Sequence, residues 1–258
     1  MTAVVDRPAK TVTITGTSTG SGTSNYTITT SGHISPCTAA TISGSVTVSA
    51  ASPSISGAAT ASVFTTTYGT QSSPQSFAIS GSNLTANITA TAPTGFEVSS
   101  DGTNYNSTAT FTQSAGNASG TLRIRLAATA PVNGTYNNQN IALVSAGATP
   151  INITTAASGN IVNRKTLTVT AENKSKSYDG VAYTSFTNTI TGYVNSESSA
   201  AGQSGSVSYG GGATTAVNAG SYSITVDVSG LSSTNYTYVA GTSGTLTISK
   251  VQLTVTAD

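Results

Sequence analysis

The sequence predicts an all-β protein, built as a row of small antiparallel β-sandwiches in an elongated array. Three observations carry that prediction. Apolar residues alternate with Thr and Ser at a period of two along the whole chain. Charged residues make up only 7% of the 258 positions, against roughly 25% in ordinary soluble domains, so the Glu, Lys and Arg that build amphipathic helices are missing. Gly, Asn, Ser and Pro interrupt the alternation every ten residues or so, as in sandwiches of short strands.

Taken in order, "TVTITG" places Val12 and Ile14 on one face, and "SVTVSA" places Val46 and Val48 there. "INITT" does the same with Ile151 and Ile153, and "TLTVTA" with Leu167 and Val169. "SITVDVSG" uses Ile224, Val226 and Val228, and "GTLTIS" uses Leu246 and Ile248. Alternation of this kind predicts one buried and one wet face, the antiparallel case. Disorder is excluded, because it requires low hydrophobicity with high net charge. Here hydrophobic residues reach 36% and the net charge is +1.

A looser phrase ends in tyrosine. "NGTYNNQNIAL" carries Gly134 and Tyr136, "NAGSYSITV" carries Gly220 and Tyr222, and "GTSNYTITT" offers Tyr26 ahead of a strand. Each is followed by a strand, a loop and a final alternating strand. That order suits the closing hairpin of an immunoglobulin-like sandwich with a tyrosine corner, its ring in the core and its hydroxyl tied to nearby backbone. The three hairpins divide the chain. Residues 1–51 are expected to be a partial β unit, 52–163 and 164–250 whole sandwiches, and 251–258 the first strand of a following repeat, because the "LTVT" at Leu167 returns at Leu253. The linkers "SAASPS" and "GNIVNRK" are short, which is the basis for expecting an extended array.

Residues 165–250 resemble the immunoglobulin-like MBG and YDG repeats, through "LTVTAENKSKSYDG", "NAGSYSITV" and "LSSTNYTYVAGTSGTLTISK". Residues 53–162 are similar to a repeat of giant Bacteroidota surface proteins, through "TTTYGTQSSPQSFAISGSNLTANITATAPTGFEVSSDGTNY". Residues 10–50 resemble the last half of a PKD-like domain. The resemblance implies a segment of a very long secreted adhesin at the bacterial cell surface, carried by a type 9 secretion system. It transfers no catalytic residue.

Composition excludes other classes. Lysines and arginines are too few and scattered to track nucleic-acid phosphates. No apolar run is long enough to span a bilayer, and "MTAVVDRPAK" has no apolar core for a secretory signal, so a signal is expected outside this chain. Catalytic, cofactor-binding and metal-binding residues are all read as none, and the chain as not an enzyme. His33 and Cys37 in "GHISPC" are two ligands where zinc takes four, and the lone cysteine has no internal partner. Arg123 and Arg125 in "TLRIRLAA" are a wet strand face opposite Leu122, Ile124 and Leu126, within reach of Glu97 or Asp101. Asp101 in "SSDGTNYN" is expected in an Asp-Gly hairpin turn, and Asp179 in "SYDG" in a turn with Gly180 at positive φ. "YGGGAT", with Gly210 to Gly212, is expected to be a hairpin loop, since no helix is expected after it to bind phosphate. A Lys–Asn crosslink at Lys165, Lys174 or Lys176 would need a buried lysine beside an acid. The sequons at Asn83 and Asn87 follow from an Asn- and Thr-rich composition.

Three functions fit this reading. The first is a structural stalk that spaces an adhesive tip from the cell. The second is a filament subunit joined by strand exchange with adjacent chains. The third is a module whose Thr-rich faces bind glycan or a host or environmental surface. The expected partners are neighbouring repeats of the same or adjacent chains, with neither nucleic acid nor membrane insertion.

Overall fold

The computed structural model describes residues 2–6, 11–32, 34–36 and 38–256. The chain divides into two compact units, Met1–Pro53 and Ser54–Asp258. It is all-β, and a single 3-10 turn, Gly212–Thr214, is its only helical element among the described residues.

The first unit is two hairpins. Strands β1 (Thr2–Asp6) and β2 (Thr11–Thr15) pair antiparallel, as do β3 (Gly22–Thr29) and β4 (Thr41–Val48). No side chain described in this unit is buried. Val12 and Val46 remain 42% and 45% exposed.

The second unit opens with an N-terminal sandwich. Its strands are β5 (Ser54–Ser56), β6 (Ala59–Thr60), β7 (Thr65–Thr67), β8 (Gln75–Ser82), β9 (Ile88–Thr91), β10 (Phe96–Ser99), β11 (Thr108–Phe111), β12 (Ala118–Leu126), β13 (Asn140–Val144), β14 (Ile151–Thr154) and β15 (Ile161–Asn163). One sheet runs β10-β12-β8-β5 and the other β11-β9-β13-β14-β6, with β15 and β7 paired separately. Leu122, Ile124 and Leu126 from one sheet and Ile88, Ile141, Leu143 and Ile153 from the other are fully buried. Fully burying an aliphatic side chain of this size contributes about 1.5–3 kcal/mol.

A C-terminal sandwich follows with β16 (Lys165–Ala171), β17 (Lys174–Ser177), β18 (Asn188–Thr191), β19 (Ser208–Gly210), β20 (Gly220–Asp227), β21 (Tyr236–Ala240) and β22 (Gly244–Ser249). Its sheets run β18-β16-β21 and β17-β22-β20-β19. Every strand pairing stays within one sandwich, although only Arg164 separates β15 from β16.

Most pairs are antiparallel, as expected, but not all. Four pairs are parallel: β6 with β14, β7 with β15, β16 with β21, and β17 with β22. The opening segment of each sandwich contributes to both sheets and runs alongside a closing strand in the same direction. Parallel neighbours need a long connection, and most of the sandwich lies between the members of each pair. Alternation reports which face is buried and carries no information on a neighbour's direction. A second difference concerns the third closing hairpin. β13–β14 and β3–β4 are simple hairpins, but β21 interrupts β20–β22 and leaves for the opposite sheet. Val251 to Thr256 pair with no strand and are exposed.

The tyrosine corners form in both sandwiches. The Tyr136 hydroxyl donates to the Pro131 carbonyl, and that of Tyr222 to the Asn218 carbonyl at 2.9 Å. Each ring folds back over a glycine two residues earlier. A Cβ on Gly134 would collide with the Tyr136 hydroxyl, and one on Gly220 would crowd that of Tyr222. This explains the shared Gly-x-Tyr spelling. Tyr26 differs: it lies inside β3, opposite Gly44, with its ring over that glycine. An aromatic covering a cross-strand glycine stabilises a hairpin by cross-strand contact and ties down no loop.

Candidate functional site

The singled-out residues are mostly consumed by the fold. Arg123 and Arg125 do face away from Leu122, Ile124 and Leu126. The Arg125 Nε donates to Glu97 Oε1 at 2.5 Å, and its guanidinium lies 3.6 Å from the centre of the Tyr105 ring. The Asp179 carboxylate accepts from the Val181 N–H at 2.9 Å and from Lys176 Nζ at 2.5 Å, with Gly180 at φ +75°. That is the expected turn. Lys176 is the lysine closest to meeting the crosslink condition, but its acid, Asp179, is 57% exposed at the side chain, so the pair is solvated.

One turn expectation changes and another holds. Asp101 does not close a hairpin, because β10 and β11 belong to opposite sheets; a single bridge, Val98 to Asn106, closes the loop. Its carboxylate accepts from the N–H groups of Thr103 and Asn104, each at 2.8 Å, and from the Ser99 hydroxyl at 2.8 Å. These donors, the Asn104 backbone first, hold the carboxyl far below the usual carboxylate range. The expected hairpin loop does join the antiparallel strands β19 and β20: Gly210 ends β19, and Gly211 leads into the 3-10 turn. It is a single turn, and Gly211 is needed because a Cβ there would collide with the Ser223 carbonyl. His33 and Cys37 lie outside the described residues. Among the described residues no group of three or more His, Cys, Asp or Glu is placed to hold a metal ion.

A further polar cluster is one the sequence did not reveal. It lies at the seam between the two sandwiches. The buried apolar core is continuous there: Leu167, Ala200 and Tyr236 of the C-terminal sandwich belong to the same cluster as Phe64, Tyr68, Leu126 and Ala130 of the N-terminal one. Tyr68, just past β7, and Tyr236, at the start of β21, meet edge to face with ring centres 5.5 Å apart. Both hydroxyls donate to one carboxylate, Glu197, that of Tyr68 at 2.6 Å. Burial first, and the hydrogen bond to the carboxylate second, push the Tyr236 hydroxyl up to about 12 and raise that of Tyr68. Backbone contacts flank the pair. Asn235 Oδ1 accepts from the Val132 N–H at 3.1 Å, and Asn195 Nδ2 donates to the Ala128 carbonyl at 3.3 Å.

Local geometry aims Glu197 at this point. Its N–H returns to the Val194 carbonyl at 3.0 Å, and the two residues between, Asn195 and Ser196, both have positive φ, +55° and +61°. That is the pattern of a type I′ turn. Val194 projects into the space over Gly69, where any Cβ would collide with it. "TYGT" and "YVNSES" carry these residues far apart in the chain. The one signal available was an isolated acid in a chain with eight acidic residues.

Fold and seam together define two packed β-sandwiches whose polar side chains hold structure. Residues 167–247 match the family model described as MBG domain (YGX type), which covers less than half of the chain. No curated protein matches the chain. The matched segment is thus similar to a non-catalytic repeat typical of extracellular, surface-associated proteins. Among the described residues no helix is long and apolar enough to cross a membrane.

Proposed function

We propose that this chain is a stalk segment of a long bacterial surface adhesin or secreted fibrous protein, spacing an adhesive tip from the cell. One observation carries the reading: successive sandwiches share a continuous core across a one-residue linker. A row of units that each pack on their neighbours is how a repeat protein gains length with order. The partners are then neighbouring repeats first, and a host or environmental surface only through the tip. The test is direct binding. The isolated chain should show no saturable binding to glycan arrays or immobilised matrix proteins. Saturable micromolar binding would replace the stalk with a binding module, and the exposed hydroxyl pairs Thr23–Thr47, Thr27–Ser43 and Thr29–Thr41 would then be the face to mutate.

A second reading, a filament joined by strand addition, is favoured by one observation. Leu253 and Val255 are 87% and 84% exposed in a stretch that pairs with no strand. An alternating apolar strand with free backbone groups is what a sheet edge accepts. Sedimentation of the chain with and without residues 251–258 checks it. A concentration-dependent polymer that disappears with the deletion supports the filament, and a monomer in both cases removes it.

A further inference from the structure

We propose that Glu197 is the clamp that makes the two sandwiches one cooperative, rigid joint. The inference deepens the stalk reading and rests on it for its purpose, since a spacer holds its length only if its joints do not flex. The seam has few ways to stay closed. Each sandwich satisfies its own backbone pairing, and the linker is Arg164 alone, its Nε bound to the Thr234 carbonyl at 3.1 Å. What crosses the seam among the described residues is a patch of apolar contact and a set of side-chain hydrogen bonds, three of them well placed. Two of these, Asn235 to Val132 and Asn195 to Ala128, are neutral and exceed 3.0 Å. The third, Tyr68 to Glu197, is short and charge-assisted, the kind roughly twice as strong as its neutral counterpart.

The same carboxylate takes the Tyr236 hydroxyl from its own sandwich. Glu197 therefore fixes both rings of the edge-to-face pair with one group. Removing it would leave two hydroxyls under a shared core without an acceptor, and a half-satisfied buried polar site costs more than an apolar one. The backbone around it is shaped for the task. Two non-glycine residues in left-handed conformation are costly, and here they deliver Val194 into the Gly69 slot and the carboxylate onto the tyrosines together. Asymmetry in the cores indicates which side yields. The separate C-terminal core is small, built on Ile224, Leu246, Ile248 and three alanines; the rest of that sandwich relies on the seam.

Native-state hydrogen exchange on the full chain, read by mass spectrometry, tests this with β13 and β22 as reporters. In the wild type both strands should exchange through one shared opening. Tyr222→Phe weakens only the C-terminal sandwich. Across a closed joint it should speed exchange of β13 and β22 by the same factor. In a Glu197→Ala background the coupling should be lost: β22 exchanges about tenfold faster than β13, and Tyr222→Phe then acts on β22 alone. Tyr68→Phe, which removes one hydroxyl and little volume, should give part of the same separation if Glu197→Ala disturbs folding. The proposal is overturned if β13 and β22 already exchange independently in the wild type, or if they remain coupled in both Glu197→Ala and Tyr68→Phe. None of these outcomes depends on what the chain binds, so the stalk reading fails separately, by the binding assay.

Discussion

The hairpins of residues 2–48 and the strands of the C-terminal sandwich are spelled almost alike. "SVTVSA" and "TLTVTA" have the same alternation of apolar residues with Ser or Thr. Yet Val46 is 45% exposed, and Leu167 and Val169 are fully buried. The pattern states which face is apolar; a second sheet decides whether that face is dry. A lone two-stranded hairpin is marginal in water, and its cross-strand hydroxyl pairs, such as Thr23 with Thr47 at 2.9 Å, only modestly offset the cost of ordering the chain.

The comparison breaks most sharply by truncation. Leu143→Ala or Leu246→Ala should cost about 2–5 kcal/mol, whereas Val46→Ala should stay within about 0.5 kcal/mol. Urea unfolding followed by circular dichroism separates the two, and equal losses would mean that the hairpin face is covered in solution. Glycine gives the next contrast. Gly134→Ala drives a methyl into the Tyr136 hydroxyl and should cost about 1–3 kcal/mol. Gly44→Ala meets the Tyr26 ring, which lies on an open surface and can swing away, so the thermal midpoint should barely move.

Alkaline titration sharpens the same contrast. Burial pushes Tyr136 up to about 12, and Tyr236 reaches about 12 with Glu197 adding to burial. Both folded values lie above the unfolded 10.0. Their stabilisation is therefore complete below pH 10.0, and it is lost as pH rises through about 12. Tyrosinate absorbance should show these residues ionising only with unfolding of the sandwiches. The smallest effect is acid-side. The hydroxyl of Thr187, then Lys174 and Thr189, hold the Glu172 carboxyl down at about 2 against an ordinary 4.5. The folded value is depressed, so its contribution is present above pH 4.5 and is lost as pH falls through about 2. Glu172→Gln should flatten the pH dependence of the thermal midpoint slightly in that window, because the group is exposed and screened.

Much of the fold was legible because strand faces are local. Leu122, Ile124 and Leu126 alternate against Arg123 and Arg125 in the sequence and in the sheet alike. The tyrosine corners were legible for the same reason, since Tyr136 and Pro131 lie five residues apart. Strand direction was not legible: β17 and β22 are parallel neighbours, and nothing in either strand records the other. The seam was hidden for a related reason. Tyr68 and Glu197 are distant in sequence, and each reads locally as an ordinary turn residue. Only docking gives the tyrosine an acceptor and Gly69 its reason to lack a side chain.

That division of labour has a consequence for heredity. Tyr68 and Gly69 sit in one repeat, and Val194 and Glu197 sit in the next. Recombination that shuffles whole repeats preserves every core and can still strand a carboxylate against a neighbour with no hydroxyl to offer. Duplicating the two sandwiches as a pair would keep the match intact, while exchanging one alone would depend on what the incoming unit presents at its end. If sandwiches of this kind are strung in an array, their order would matter at a handful of positions, even where every fold is interchangeable.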